Sequence, residues 1–268
     1  MLWQRIVTAL LLAAVLAVVL LVLPPGLAVA AFAVLVLAGA WEWAAFAGLG
    51  TAPARLAYVA LVGVVAAGLW ILGSSGIGAL TGILWVVLAW WVVAFLWLAL
   101  APGRGNRVLA GLGGVLALAP LWLGLARLYG SGELGYELVI FVLLLVAAAD
   151  VGAYFAGRRF GRRKLAPRVS PNKTWEGFLG GLVAAGAVAV AGNAWFGLPP
   201  AAFLPLCVAA ILASVVGDLT ESLFKRQAGL KDSGRLLPGH GGVLDRIDSL
   251  CAAVPVFTLG MAWLGVVS

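Results

Sequence analysis

Nine long apolar runs alternate with short charged or turn-forming segments along the chain, at about 6–23, 27–48, 55–72, 77–100, 107–126, 134–156, 175–194, 201–224 and 246–267. A helix that crosses a bilayer needs about 20 apolar residues, and each run approaches or exceeds that length. Pro24-Pro25-Gly26, Gly73-Ser74-Ser75-Gly76, Ala101-Pro102-Gly103 and Gly197-Leu198-Pro199-Pro200 punctuate the runs, because proline and glycine there end helices. The pattern predicts an all-α, polytopic integral membrane protein with about nine transmembrane helices. Residues 1–133 form an N-terminal bundle of five spans. Residues 134–268 form a C-terminal catalytic region of four spans with cytoplasmic loops at 157–174 and 225–245.

Composition narrows the function. Of 268 residues, 64% are apolar and 10% charged, against about 25% charged in an ordinary soluble domain. A disordered chain, a disulfide scaffold and a water-soluble enzyme are excluded, and any active site must be built from helix ends and loops. Cys207 and Cys251 lie in apolar stretches and His240 is the only histidine, so neither a disulfide framework nor a zinc site follows. The first run, with Arg5 before it and Ala28-Val29-Ala30 after it, imitates a secretory signal. Its apolar core exceeds the usual signal length, so a retained span is expected.

Charge sets the orientation. With a cytoplasmic N-terminus, nine spans place sixteen of the seventeen basic residues on the cytoplasmic side, Arg5, Arg55, Arg104 and Arg107 among them, and leave only Arg127 outside. The net charge of +7 therefore reads as positive-inside topology, with no call for a nucleic-acid partner. The aromatic residues Trp85, Trp90, Trp91 and Trp97 read as lipid-facing or interfacial anchors. Gly177 and Gly181 are spaced for close helix packing.

Two segments concentrate the candidate chemistry. Residues 157–177 carry seven basic residues and end in Ser170-Pro171-Asn172-Lys173-Thr174, where a lysine and free backbone amides at a helix start suit a phosphate. Residues 217–249 hold five of the ten carboxylates. Asp218 and Glu221 are three apart at the end of the eighth run, and Asp245 and Asp248 three apart at the start of the ninth, so each pair shares a helix face. Two such pairs at one depth repel unless a cation lies between them, and hard oxygen donors suit magnesium. Lys225, Arg226, Lys231 and Arg235 and the glycines between them suit anion binding. Asp150 is read as part of a polar site, while Glu42 is left without a role. His240 fits a turn-stabilising role as well as a catalytic one.

The run from Ser222 to Asp248 resembles the signature of the phosphatidate cytidylyltransferases, also called CDP-diacylglycerol synthases. Ser222, Lys225-Arg226, Lys231-Asp232, Gly234, Leu237-Pro238, His240-Gly241-Gly242, Asp245-Arg246 and Asp248 stand where that pattern wants them. Asp150-Val151-Gly152-Ala153-Tyr154 and the stretch from Ser170 to Gly177 look like further family elements. The resemblance is close in the C-terminal half; the first five spans match only in being hydrophobic.

The resemblance implies a multi-pass inner-membrane enzyme, its site facing the cytoplasm, that joins CTP and phosphatidic acid into CDP-diacylglycerol and pyrophosphate. It implies a homodimer, magnesium held by Asp218, Asp245 and Asp248, and potassium as a candidate second ion. Asp218, Asp245, Asp248, Lys225 and Arg226 are then the catalytic set. Ser170, Lys173, Thr174, Ser222, Lys231, His240, Gly241, Gly242 and Arg246 are the substrate-binding set. The residues themselves are compatible with this, since two anionic substrates must be positioned and neutralised. A transporter of an anionic solute and a transferase acting on phosphoprenol or another lipid are the competing readings. The first would need charges near mid-span, and the complete Ser222–Asp248 pattern weighs against the second.

Overall fold

The computed structural model describes residues 2–103, 105–234, 236, 239 and 241–267. Nine α-helices account for most of them: α1 (Leu2–Leu21), α2 (Pro25–Trp43), α3 (Ala52–Gly73), α4 (Ile77–Leu100), α5 (Arg107–Tyr129), α6 (Gly135–Phe160), α7 (Trp175–Phe196), α8 (Pro200–Gln227) and α9 (Leu244–Trp263). Seven of these, α2 to α8, are long and apolar enough to cross a membrane. The chain is an all-α polytopic membrane protein.

Local chemistry sets the helix ends. Pro25 and Pro200 occupy first helical positions, where the missing N–H has no partner to lose. Thr51, Asn106 and Thr174 cap α3, α5 and α7 by accepting from Ala54, Leu109 and Gly177 amides. Gly197 ends α7 in the left-handed conformation at φ 62°.

Helix α9 is buried along almost its whole length and packs against α2, α4, α5, α6 and α8. Helix α5 lies beside it, admitted by small residues: an added Cβ on Gly124 would fall 2.8 Å from Val254. Hydrophobicity does not favour helix association inside a bilayer, so close approach through such residues is what binds the bundle. Helices α6 and α7 show this most strongly. A Cβ on Gly177 would meet the Ala153 carbonyl at 2.9 Å, and one on Gly181 the Ala149 carbonyl at 2.5 Å. The expected packing role of these two glycines is met within one chain.

Two details depart from the sequence reading. The segment read as a loop from 157 begins inside α6, which runs to Phe160, and continues as a two-stranded hairpin of β1 (Lys164–Ala166) and β2 (Ser170–Thr174). The tryptophans of α4 are not uniformly lipid-facing. Trp85 is half exposed beside Trp263, but Trp91 is buried and Trp97 packs edge-on against Phe224, because one side of α4 faces α8 and α9.

Candidate functional site

The site begins at a helix crossing. A Cβ on Gly217 would lie 2.7 Å from the Asp248 carbonyl and 3.2 Å from Ala252, so α8 and α9 touch here backbone to backbone. The next residue, Asp218, is thereby brought into the field of Asp248, which also interacts electrostatically with Glu221 and Lys225. Two carboxylates from different helices thus share one place near the end of the bundle.

The hairpin brings a cation to them. Val169, at its turn, is buried over Leu219 and Leu223 of α8, which ties the two strands to that helix. Lys173 on β2 then forms an ion pair with Asp218, while Ser222 donates to the other Asp218 oxygen at 3.4 Å. Between α6, β2, α7 and α8 opens a cavity of about 530 Å³. Asp150, Tyr154, Arg158, Ser170, Lys173 and Asp218 supply its polar wall, and Phe178, Leu182, Ile211 and Val215 its apolar wall. Asp150 interacts electrostatically with Asp218, Lys173 and Arg246.

Asp245 has a different neighbourhood. Its carboxylate accepts from Lys225 Nζ at 2.7 Å and from the amides of Ser233 and Gly242 at 3.1 and 2.9 Å. Lys225 is only 8% exposed and reaches Glu221 at 2.5 Å as well, so one buried cation joins an acid on its own helix to one on α9. Gly241, at φ 83°, and Gly242 allow the chain to fold tightly over Asp245; a Cβ on Gly241 would lie 2.7 Å from its carboxylate. Among the described residues, no three histidine, cysteine, aspartate or glutamate side chains stand together as a metal cage.

Comparison with known proteins gives the family. The chain matches the cytidylyltransferase family over residues 3–264. It is 46% identical over 267 residues to a phosphatidate cytidylyltransferase of Pseudomonas aeruginosa, with 96% of each chain covered. It is 42% identical to one of Haemophilus influenzae, covering 96% of this chain and 98% of that one. A Brucella suis phosphatidate cytidylyltransferase is 50% identical over 143 residues, about half of either chain. The chain belongs to the cytidylyltransferase family.

In this cytidylyltransferase the remaining sequence-derived candidates fall into two groups. Thr174 is buried, its hydroxyl committed to the α7 N-cap, and Gly242 spends its amide on Asp245. Arg226, Lys231 and Arg246 are exposed, Arg226 donating to the Leu230 carbonyl at 3.3 Å. His240, with Arg235, Leu237 and Pro238, lies outside the described residues. The sequence reading did not find Tyr154, Arg158 or Asn172 as cavity residues, or the use of Glu42, whose buried carboxylate accepts from Ser233, Val243 and Leu244. The available signal for Glu42 was a single acid set among tryptophans at the end of an apolar run.

Proposed function

We propose that the chain transfers the cytidylyl group of CTP to phosphatidate, giving CDP-diacylglycerol and pyrophosphate. The observation that carries this reading is the cavity where Lys173, Asp218 and Asp150 meet an apolar wall. A polar end suits a lipid phosphate and an apolar end suits the start of its acyl chains. A phosphatidate oxygen attacks the α-phosphorus of CTP, the bond from that phosphorus to the bridging oxygen breaks, and pyrophosphate leaves. The nucleophile is already an oxyanion, so no general base is required. Catalysis lies in bringing two anions together and neutralising them.

Lys173 and Ser170 contact the lipid phosphate, and Arg226, Lys231 and Arg246 draw the triphosphate towards the cavity mouth. Lys225, Thr174, Ser222, Gly241 and Gly242 hold the carboxylates and the hairpin in place. Asp218 and Asp248, two hard oxygen donors in each other's field, fit a magnesium ion, which would polarise the phosphates it touches. Asp245 joins them as a third donor if it exchanges Lys225 for the metal, and potassium is the candidate second ion. The gathering of Glu42, Lys173, Asp218, Lys225 and Asp245 at one end of the bundle supports a cytoplasm-facing site in the inner membrane, with nine spans and the N-terminus inside. A homodimer is the proposed assembly.

The test is direct. Purified protein in detergent with CTP, magnesium and phosphatidic acid is expected to release pyrophosphate and form CDP-diacylglycerol. Folded protein that does neither, or that turns over only with another lipid phosphate, overturns the reading.

A further inference from the structure

Glu42 sits at the end of α2, in the half of the chain where sequence alone placed no chemistry. Its side chain is 3% exposed, and among the described residues no lysine or arginine pairs with it. Its partners are instead the two amides that open α9 and one hydroxyl of the preceding loop. Val243 N donates to Oε1 at 3.1 Å, Leu244 N to Oε2 at 2.8 Å, and Ser233 Oγ to Oε2 at 3.0 Å. A carboxylate at this place satisfies orphan amides of α9 and is favoured by the positive end of its dipole. The loop is shaped to receive it, since a Cβ on Gly234 or on Gly242 would collide with the Glu42 carboxylate.

The same two loop segments carry the other carboxylate of this region. Ser233 offers its hydroxyl to Glu42 and its amide to Asp245, and Gly242 offers its amide to Asp245 immediately before the α9 residues that bind Glu42. Moving Glu42 therefore moves the start of α9, from which Asp245 and Asp248 project. We propose that Glu42 is a positioning residue for cytidylyl transfer: it does not touch substrate but holds the register of the α9 entrance, so that Asp248 stays in the field of Asp218 and Asp245 stays against Lys225. The inference rests on the function proposed above and adds to it a catalytic dependence on the N-terminal half.

Glu42→Gln tests it with little change in shape. An amide side chain has only one acceptor oxygen, so it cannot serve donors at both ends. Displacement by about 1 Å can cost on the order of 10²-fold in rate. For folded Glu42→Gln, kcat is expected to fall about 10- to 100-fold with KM for CTP within about threefold of wild type, and the magnesium concentration for half-maximal rate to rise. Independently of turnover, backbone amide exchange in a peptide covering residues 243–247 should quicken at least about tenfold. Ser233→Ala, which removes one of the three bonds, should shift both readouts in the same direction by less and covers the case in which Glu42→Gln does not fold. Wild-type kcat with unchanged exchange at the α9 entrance overturns the role of Glu42 alone. Lower thermal stability with normal kcat per folded molecule makes Glu42 merely structural and also overturns it. A wild-type protein that forms no CDP-diacylglycerol removes the underlying reaction, a separable result.

Discussion

Gly217 on α8 and Asp248 on α9 are in backbone contact, and this single crossing decides where the two central carboxylates lie. A methyl group on Gly217 would stand 2.7 Å from the Asp248 carbonyl, an atom that cannot swing away as a flexible side chain can. Gly217→Ala is therefore expected to separate the helices, cost about 1–3 kcal/mol, and lower turnover at least about tenfold. Gly186→Ala, where a Cβ meets nothing within 4 Å, is the matched control and should leave both unchanged. Thermal unfolding in detergent and CDP-diacylglycerol formation check the pair.

Asp218 and Asp248 are like charges in each other's field. Asp248→Asn should abolish turnover while leaving thermal stability equal or higher, because one of two like charges is removed; Asp218→Asn should also abolish turnover, at a small stability cost because it gives up the ion pair with Lys173. Chelation of magnesium should stop wild-type turnover reversibly. Near-normal rates in either variant would take that residue out of the proposed metal site.

Lys173 is the cation that β2 delivers to Asp218, and both side chains remain partly exposed. Its larger role is expected in the reaction, where removal of a donor to developing phosphate charge costs about 10²–10³-fold. Lys173→Ala should lower kcat by about that factor with a much smaller loss of stability. A fall in stability without a fall in rate would make it a structural lysine.

Lys225 is the opposite case. It is buried between Glu221 and Asp245, and removing one partner of a buried ionic cluster costs about 3–5 kcal/mol by leaving charge uncompensated. Lys225→Met should show that loss in thermal unfolding, and Lys225→Met with Glu221→Gln should recover part of it. Full additivity of the two substitutions would show that they do not share one cluster.

Cys207 and Cys251 are both buried and unpaired among the described residues. They have no part in the chemistry above. Alanine at either position should leave kcat within about twofold of wild type, measured with CTP and phosphatidic acid, at a stability cost of about 1 kcal/mol for the lost sulfur.

The helices and the charged residues of the candidate site were readable from sequence, and particular residues show why. Pro25 and Pro200 start helices and Gly197 ends one through their own backbone geometry, and long apolar stretches such as 77–100 become helix because the bilayer leaves backbone polar groups no other partner. Asp218, Asp245, Asp248 and Lys173 stood out because charge is rare in such a chain. Pairing was not readable. That Lys225 belongs to Asp245 and Glu221, Lys173 to Asp218, and Glu42 to a loop 191 residues away depends on the crossing at Gly217 and on the course of residues 229–243. Apart from Lys225 with Glu221, which are four apart on α8, those contacts are made between segments whose spacing along the chain carries no trace of their meeting. Hydropathy and local chemistry alone thus determined a membrane bundle with its candidate acids and bases gathered towards one end. The tertiary structure alone decided which acid holds a cation, which holds a helix, and which faces the cavity, because helix packing sets distances that a linear pattern does not contain.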